Sequence, residues 1–329
     1  MSNSSDEIDR LFLISRVLLI SIGIPMFIGG TIGNFINILA FTRLPQFTRL
    51  SSSIFLLVSF ISGQIDIFGS FLFDLIYNIS GSDPLNSVVV LCKLRWCFGP
   101  LSGTVGLYSI CLAAINQYLL TSRTVQYRDL ITRRRAVFIT IFILIFSFGL
   151  IGPALIFYTH VENSANMTLC SIANPVFVEY YTYLAIIIYT LIPVPLLTIF
   201  SLLTWYNIRH NLLQNRNLEQ SLTRLLFAQI IMVLLTTVPN IVGQTYFFYT
   251  RTMSKSLLRQ AQESVLSSIL NIFTFSTFSL PFYTYTVVSK PFRRNIKALF
   301  AFKQNRVNPA IVTFNATKRQ THIHFSSKI

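Results

Sequence analysis

Charge is what this 329-residue chain has least of, with Asp, Glu, Lys and Arg together only 11% of it. So thin a supply cannot coat a water-facing surface, which excludes an ordinary soluble enzyme. The four histidines (His160, His210, His322 and His324) all fall outside the apolar runs, and no H-E-x-x-H pairing occurs. An intramembrane metalloenzyme is therefore excluded, and no cofactor or metal is called for. There are four cysteines, too few for a disulfide scaffold and none beyond residue 170, so the tail has no palmitoyl anchor. No repeat at a fixed period is visible, which speaks against an inverted-repeat transporter. The N-terminus offers Asp6, Glu7 and Asp9 instead of a basic leader, so the first apolar run reads as a retained span.

What is abundant is apolar: 53% of residues, including 30 Phe and 14 Tyr. Seven runs of about twenty residues are long enough to cross a hydrocarbon core as helices, near 17–41, 53–77, 98–121, 136–159, 181–206, 225–249 and 265–288. The expected fold is all-α, a seven-transmembrane helix bundle with short loops. A short amphipathic membrane-surface helix follows at 291–302, where Phe292, Ile296, Leu299 and Phe300 recur at helical spacing among Lys and Arg. Residues 1–14 read as an extracellular tail, 15–302 as the membrane domain and 303–329 as a disordered cytoplasmic tail. The net charge of +15 does not indicate nucleic acid, because the bases lie between apolar runs. Most of the 26 bases fall in alternate connecting segments and the tail, which puts the N-terminus outside and the C-terminus inside. Glycosylation acceptors at Asn3, Asn78 and Asn166 all lie in segments that this orientation makes external.

One stretch, Cys92 to Arg123, organises the rest. It opens on a cysteine at one interface and closes on Asn116-Gln117-Tyr118 at the other. Cys111 sits mid-membrane, so the outer-face candidates for oxidation are Cys92, Cys97 and Cys170. Cys92–Cys170 is the favoured bridge and Cys97–Cys170 its rival.

Over roughly 29–302 the residues resemble the rhodopsin-like G-protein-coupled receptors, most of all invertebrate peptide-type and orphan members. The resemblance rests on Gly33-Asn34 in span one, Cys92 spaced before Asn116-Gln117-Tyr118, Cys170 before span five, Pro239 in span six, and Pro281-Phe282-Tyr283-Thr284-Tyr285 before Phe292-Arg293. It implies an extracellular ligand, a heterotrimeric G protein as partner, and a plasma-membrane location. The departures are equally specific. Asn116-Gln117-Tyr118 stands where the family has Asp-Arg-Tyr, so any lock to Glu219 on span six is a neutral hydrogen bond. Thr236-Thr237-Val238-Pro239 lacks the usual span-six Trp, the span-seven proline is displaced by one residue to Pro281, and span four has no Trp. Amine receptors carry an Asp where this chain has Gly99, and opsins a Lys where it has Phe275. A peptide or another polar ligand remains.

Within that frame, Gln64 or Asp66 fills the place of the family's sodium-binding Asp, as part of a polar network without a firmly bound ion. The two lie on nearly opposite faces of an ideal helix. Asp74, Arg95, Trp96, Glu179, Tyr180, Tyr183, Asn240, Gln244 and Glu263 outline an outward pocket with charges of both signs and an aromatic wall. Asn34, Pro239, Pro281 and Tyr285 join the triplet as activation positions, with Pro239 as the pivot of span six. Arg123, Arg128, Arg209 and Arg224 ring the inner mouth that would meet the G protein. Two rival readings are a receptor fold that has lost coupling through Gln117, and an ion-coupled transporter or channel relaying through Asp66 and Asp74.

Overall fold

The computed structural model describes residues 2–48, 50–122, 124–128, 130–162, 168–210, 217–250 and 253–301. Six helices are long and apolar enough to cross a bilayer: Asp6–Arg43, Ser51–Ser80, Val89–Thr121, Arg133–Phe157, Pro175–Arg209 and Thr223–Thr250. The seventh is a bent pair, Leu257–Ser279 and Pro281–Val288, which meet at 61°. The chain is thus a multi-pass seven-helix bundle. Its ends are named here by what they carry, the hairpin end and the surface-helix end.

Span one starts much earlier than the sequence suggests. Its helix runs unbroken from Ser2 to Arg43, so residues 2–14, expected as a tail, are helical and continuous with span one. The cause is local, since no Gly or Pro occurs before Gly23 to interrupt it. Span two ends where Gly81 adopts a left-handed φ of 74°, a conformation that costs glycine little. Span four breaks at Gly152-Pro153 and hands over to a hairpin, β1 (Tyr158–Glu162) paired antiparallel with β2 (Thr168–Ile172).

Span three is buried along most of its length because small residues let its neighbours approach. Gly99, Ser102, Gly103, Gly106 and Ser109 are all among its buried positions. Span four is the opposite case, with Phe138, Phe142 and Ile145 exposed where lipid would lie. Spans one and seven meet through Gly30, where an added Cβ would sit 2.7 Å from the Ser279 side chain and 2.9 Å from its Cα.

At the surface-helix end an aromatic core joins Phe41, Phe47, Phe55, Phe60, Tyr285 and Phe292. Phe292 belongs to the terminal helix Lys290–Ala301, and it lies fully buried between Phe47, Phe282 and Tyr285. Arg293, Arg294 and Lys297 of the same helix face outward. Arg293 also reaches back to the Thr286 and Val287 carbonyls at 2.5 and 3.0 Å, satisfying the end of span seven.

The contact at Gly30 gives opposite signs for one substitution at two sites. Gly30→Ala should lower thermal stability by about 1–3 kcal/mol through overpacking. Gly149→Ala, in span four with open space around it, should raise it by up to about 1 kcal/mol through helix propensity. Melting of the detergent-solubilised protein reads both.

Candidate functional site

The hairpin end is closed by Cys92–Cys170, with Cα atoms 5.7 Å apart. Cys97 and Cys111 are free and buried, so the rival bridge does not form. The bridge ties β2 to span three, and two further bonds fix the hairpin over the short helix Pro84–Asn86. The Cys170 amide donates to Asn86 Oδ1 at 2.8 Å, and the His160 ring lies 2.8 Å from the Leu85 carbonyl oxygen. Tyr158 of β1 stacks on Trp96 of span three, centroids 4.9 Å apart.

Proline then decides what span five does. Pro100 lies inside span three and has no N–H, so the Trp96 carbonyl loses its helical donor. In a bilayer such a group must be satisfied by protein. Tyr181 Oη donates to Trp96 O at 3.1 Å, and Tyr189 Oη donates to Pro100 O at 2.7 Å while accepting from Thr104 Oγ1 at 3.0 Å. Tyr180 Oη donates at 2.9 Å to Leu150 O, in the last turn before the Gly152-Pro153 break in span four. A π-helical turn at Ile187–Leu191, just before Pro193, carries Tyr189.

These contacts leave two adjoining spaces. An aromatic chamber of about 350 Å³ lies between spans three, four and five, lined by Trp96, Pro100, Thr104, Tyr158, Tyr181 and Tyr189 among others. A cleft of about 350 Å³ lies between spans five and six, lined by Thr182, Thr190, Asn240, Gln244, Phe247 and Phe248 among others. Thr182, Ala185, Tyr189 and Gln244 border both. No charged residue lines either one.

That changes the expected pocket. Asp74 and Arg95 do meet, Arg95 Nη2 to Asp74 Oδ1 at 2.7 Å, with side chains 23% and 11% exposed. Arg95 lies 4.6 Å over the Trp96 ring, so the pair backs the aromatic wall without lining the chamber. Glu263 is engaged by Lys255 Nζ at 2.6 Å, Tyr246 Oη at 2.7 Å and Arg259 Nε at 3.4 Å, in a separate shallow recess. The charges of both signs are therefore spent on one another. Trp96, Asn240 and Gln244 line the spaces, whereas Glu179, Tyr180 and Tyr183 do not, each being exposed on span five. Tyr183 packs edge-on against Phe248 at 5.8 Å. Tyr158, Tyr181 and Tyr189 take the aromatic role instead.

Span two settles the relation of its polar residues with a π turn at Ile67–Phe71. Eight residues on a plain helix would set Asp66 and Asp74 about 80° apart. The extra residue of the π turn brings them within about 20°, so both face span three. Asp66 is buried and hydrogen-bonded to Ser70. A Cβ at Gly99 or Gly103 would lie 3.9 Å from its Oδ1. Gln64 points the other way, its Nε2 3.5 Å from Thr31 Oγ1 on span one.

At the surface-helix end, neutral amides bridge the spans. Gln117 donates to Thr223 of span six. The expected partner, Glu219, has its side chain outside the described residues, and Thr223 stands one helical turn nearer the bundle. Asn116 Nδ2 donates to Ser52 Oγ at 2.5 Å and to Ser51 Oγ at 3.0 Å. Tyr118 packs against Phe200. Tyr285 donates to Gln229 Oε1, and Gln229 Nε2 reaches Ser59 Oγ at 3.4 Å, linking spans seven, six and two. Asn34 Nδ2 donates to Phe278 O at 3.0 Å. Pro239 sits within an unbroken helix, while Pro281 opens the bent second half of span seven. Arg209 and Arg224 are exposed and Arg128 half-buried. Arg123 and Asn166 lie outside the described residues, as does the side chain of Asn3. Asn78 lies in the last turn of span two, its Nδ2 donating to Asp74 O at 2.8 Å.

Sequence reasoning missed Thr223, Gln229 and the three chamber tyrosines. Gln229 had a signal, a lone amide within an apolar run.

The Asp74–Arg95 pair predicts a non-additive result. Arg95→Met alone should cost about 3 kcal/mol by leaving a carboxylate unpaired, and Arg95→Met with Asp74→Leu should recover most of it. Thermal unfolding of both variants checks this.

Compared with curated proteins, the chain finds no match. Residues 33–300 match the family model described as 7 transmembrane receptor (rhodopsin family). That match takes in most of the chain and every span but the first part of span one, in accord with the seven helices, the disulfide and the surface helix. The chain belongs to the rhodopsin family of seven-transmembrane receptors.

Proposed function

We propose that the hairpin end faces outward at the plasma membrane and binds an extracellular ligand, a peptide or another polar molecule by the sequence. Ligand binding shifts span six at the opposite end to admit a heterotrimeric G protein. The observation that carries this is the Gln117–Thr223 hydrogen bond between spans three and six. It ties spans three and six at the cytoplasmic mouth by a neutral contact, which a ligand that favours the open arrangement has to overcome. Arg128, Arg209 and Arg224 stand around that mouth and supply charge for a G-protein helix. Two further neutral links accompany it, Asn116 of span three to Ser52 of span two, and Gln229 of span six to Ser59 of span two and Tyr285 of span seven. A receptor fold without coupling is the second reading, because Gln117 stands where the family's arginine engages the G protein.

Nucleotide exchange on a panel of purified G proteins tests the first reading. Thr223→Val should raise ligand-free exchange about fivefold, the population shift for losing about 1 kcal/mol of closed-state bonding. Charge reversal at Arg128 or Arg224 should lower exchange. No exchange from wild type or from Gln117→Arg, at normal surface expression, would establish the uncoupled fold.

A further inference from the structure

The cleft between spans five and six has features that the receptor reading does not use. Only these two neighbouring helices wall it, and the outer half of span five, Pro175–Ile186, meets span six where Tyr183 packs edge-on against Phe248. Beside it in sequence, Ile187, Val238 and Val242 are exposed, as residues facing lipid are. Asn240 and Gln244 stand one turn apart on span six and share a face. Neither amide forms a hydrogen bond with the rest of the described protein. Asn240 is half-buried and Gln244 exposed where they line the cleft, so both amides are open to a polar group that enters it, and where lipid replaces water an amide without a partner costs free energy.

We propose that this cleft admits from the bilayer an uncharged amphiphile, which continues into the aromatic chamber. Its hydroxyl, amide or carbonyl head is bound by Asn240 and Gln244, and its apolar body lies along Val178, Ile186 and Phe248. The absence of charge on the lining selects against ions. Asp74 is already held by Arg95, and Glu263 by Lys255 and Arg259, so a charged head would enter the low-dielectric cleft without a counter-ion. Side-chain amides both donate and accept, which suits a neutral head. Gln244 and Thr182 border both spaces, so a ligand that enters between the helices reaches Tyr181 and Tyr189 directly. This assignment rests on the hairpin end being a ligand site, and it puts an uncharged amphiphile from the bilayer in place of a peptide there.

Photolabelling of the full-length protein in intact cell membranes tests it. The probes are a diazirine-bearing N-acylethanolamine, which is uncharged, and the diazirine fatty acid of the same chain length. The neutral probe should label peptides from Pro175–Arg209 and Thr223–Thr250. Asn240→Leu with Gln244→Leu should weaken that labelling about tenfold, the loss expected for about one hydrogen bond. If that variant fails to reach the surface, Ala185→Phe narrows the shared wall without touching an amide and should lower labelling too. Equal labelling by the fatty acid, labelling confined to other spans, or full labelling of the leucine variant would overturn the assignment. The readout needs no G protein. Labelling without nucleotide exchange therefore counts against coupling alone, and exchange without labelling counts against this cleft alone.

Discussion

A carbonyl that loses its helical donor inside a bilayer has no water to turn to, and the hairpin end of this bundle is arranged around that constraint. Pro100 frees the Trp96 carbonyl, the Gly152-Pro153 break frees that of Leu150, and span five answers with tyrosine hydroxyls. Tyr181 and Tyr189 fasten span five to span three at two levels, and a π turn before Pro193 carries the second of them. The chamber is the space those rings leave in front of Trp96 and Tyr158. Its chemistry follows: hydroxyls and aromatic faces near the backbone, the Gln244 amide of span six opposite, and no charge.

The two ends of the bundle are held by different kinds of bond. At the hairpin end a disulfide and charge-assisted pairs fix the geometry, with Arg95 on Asp74 and Lys255 on Glu263. Such bonds are roughly twice as strong as neutral ones. At the surface-helix end the amide links between spans, among the described residues, are neutral: Gln117 to Thr223, Asn116 to two serines, Tyr285 to Gln229. By that measure the hairpin end is the more strongly tied of the two. The departure from the family's charged triplet thus falls at the surface-helix end.

The sequence showed the fold well and the site only in part. Spans, their number, the terminal amphipathic helix and the Cys92–Cys170 bridge all follow from length, hydropathy and a few fixed spacings, none of which depends on helix phase. The pocket does depend on phase, and two π turns shift it by a residue at places that the sequence does not mark. The second π turn lies between Tyr181 and Tyr189 and brings those two rings to one side of span five, where they line the chamber, whereas Tyr180 and Tyr183 are exposed. Charges were misplaced for a different cause. Asp74, Arg95 and Glu263 sit at the expected depth, yet each has a partner close enough to consume it. Pro100 announces an orphan carbonyl from the sequence alone, but that Tyr181 is the donor that reaches it does not follow from spacing.

The central claim is that Tyr181 exists in span five to satisfy the backbone group that Pro100 exposes in span three. A double-mutant cycle on thermal stability tests it directly. In the native background Tyr181→Phe should cost about 1 kcal/mol. In a Pro100→Ala background the alanine N–H reclaims the Trp96 carbonyl, and the same substitution should cost close to nothing. Equal losses in both backgrounds would show that the two residues act independently and would contradict the account.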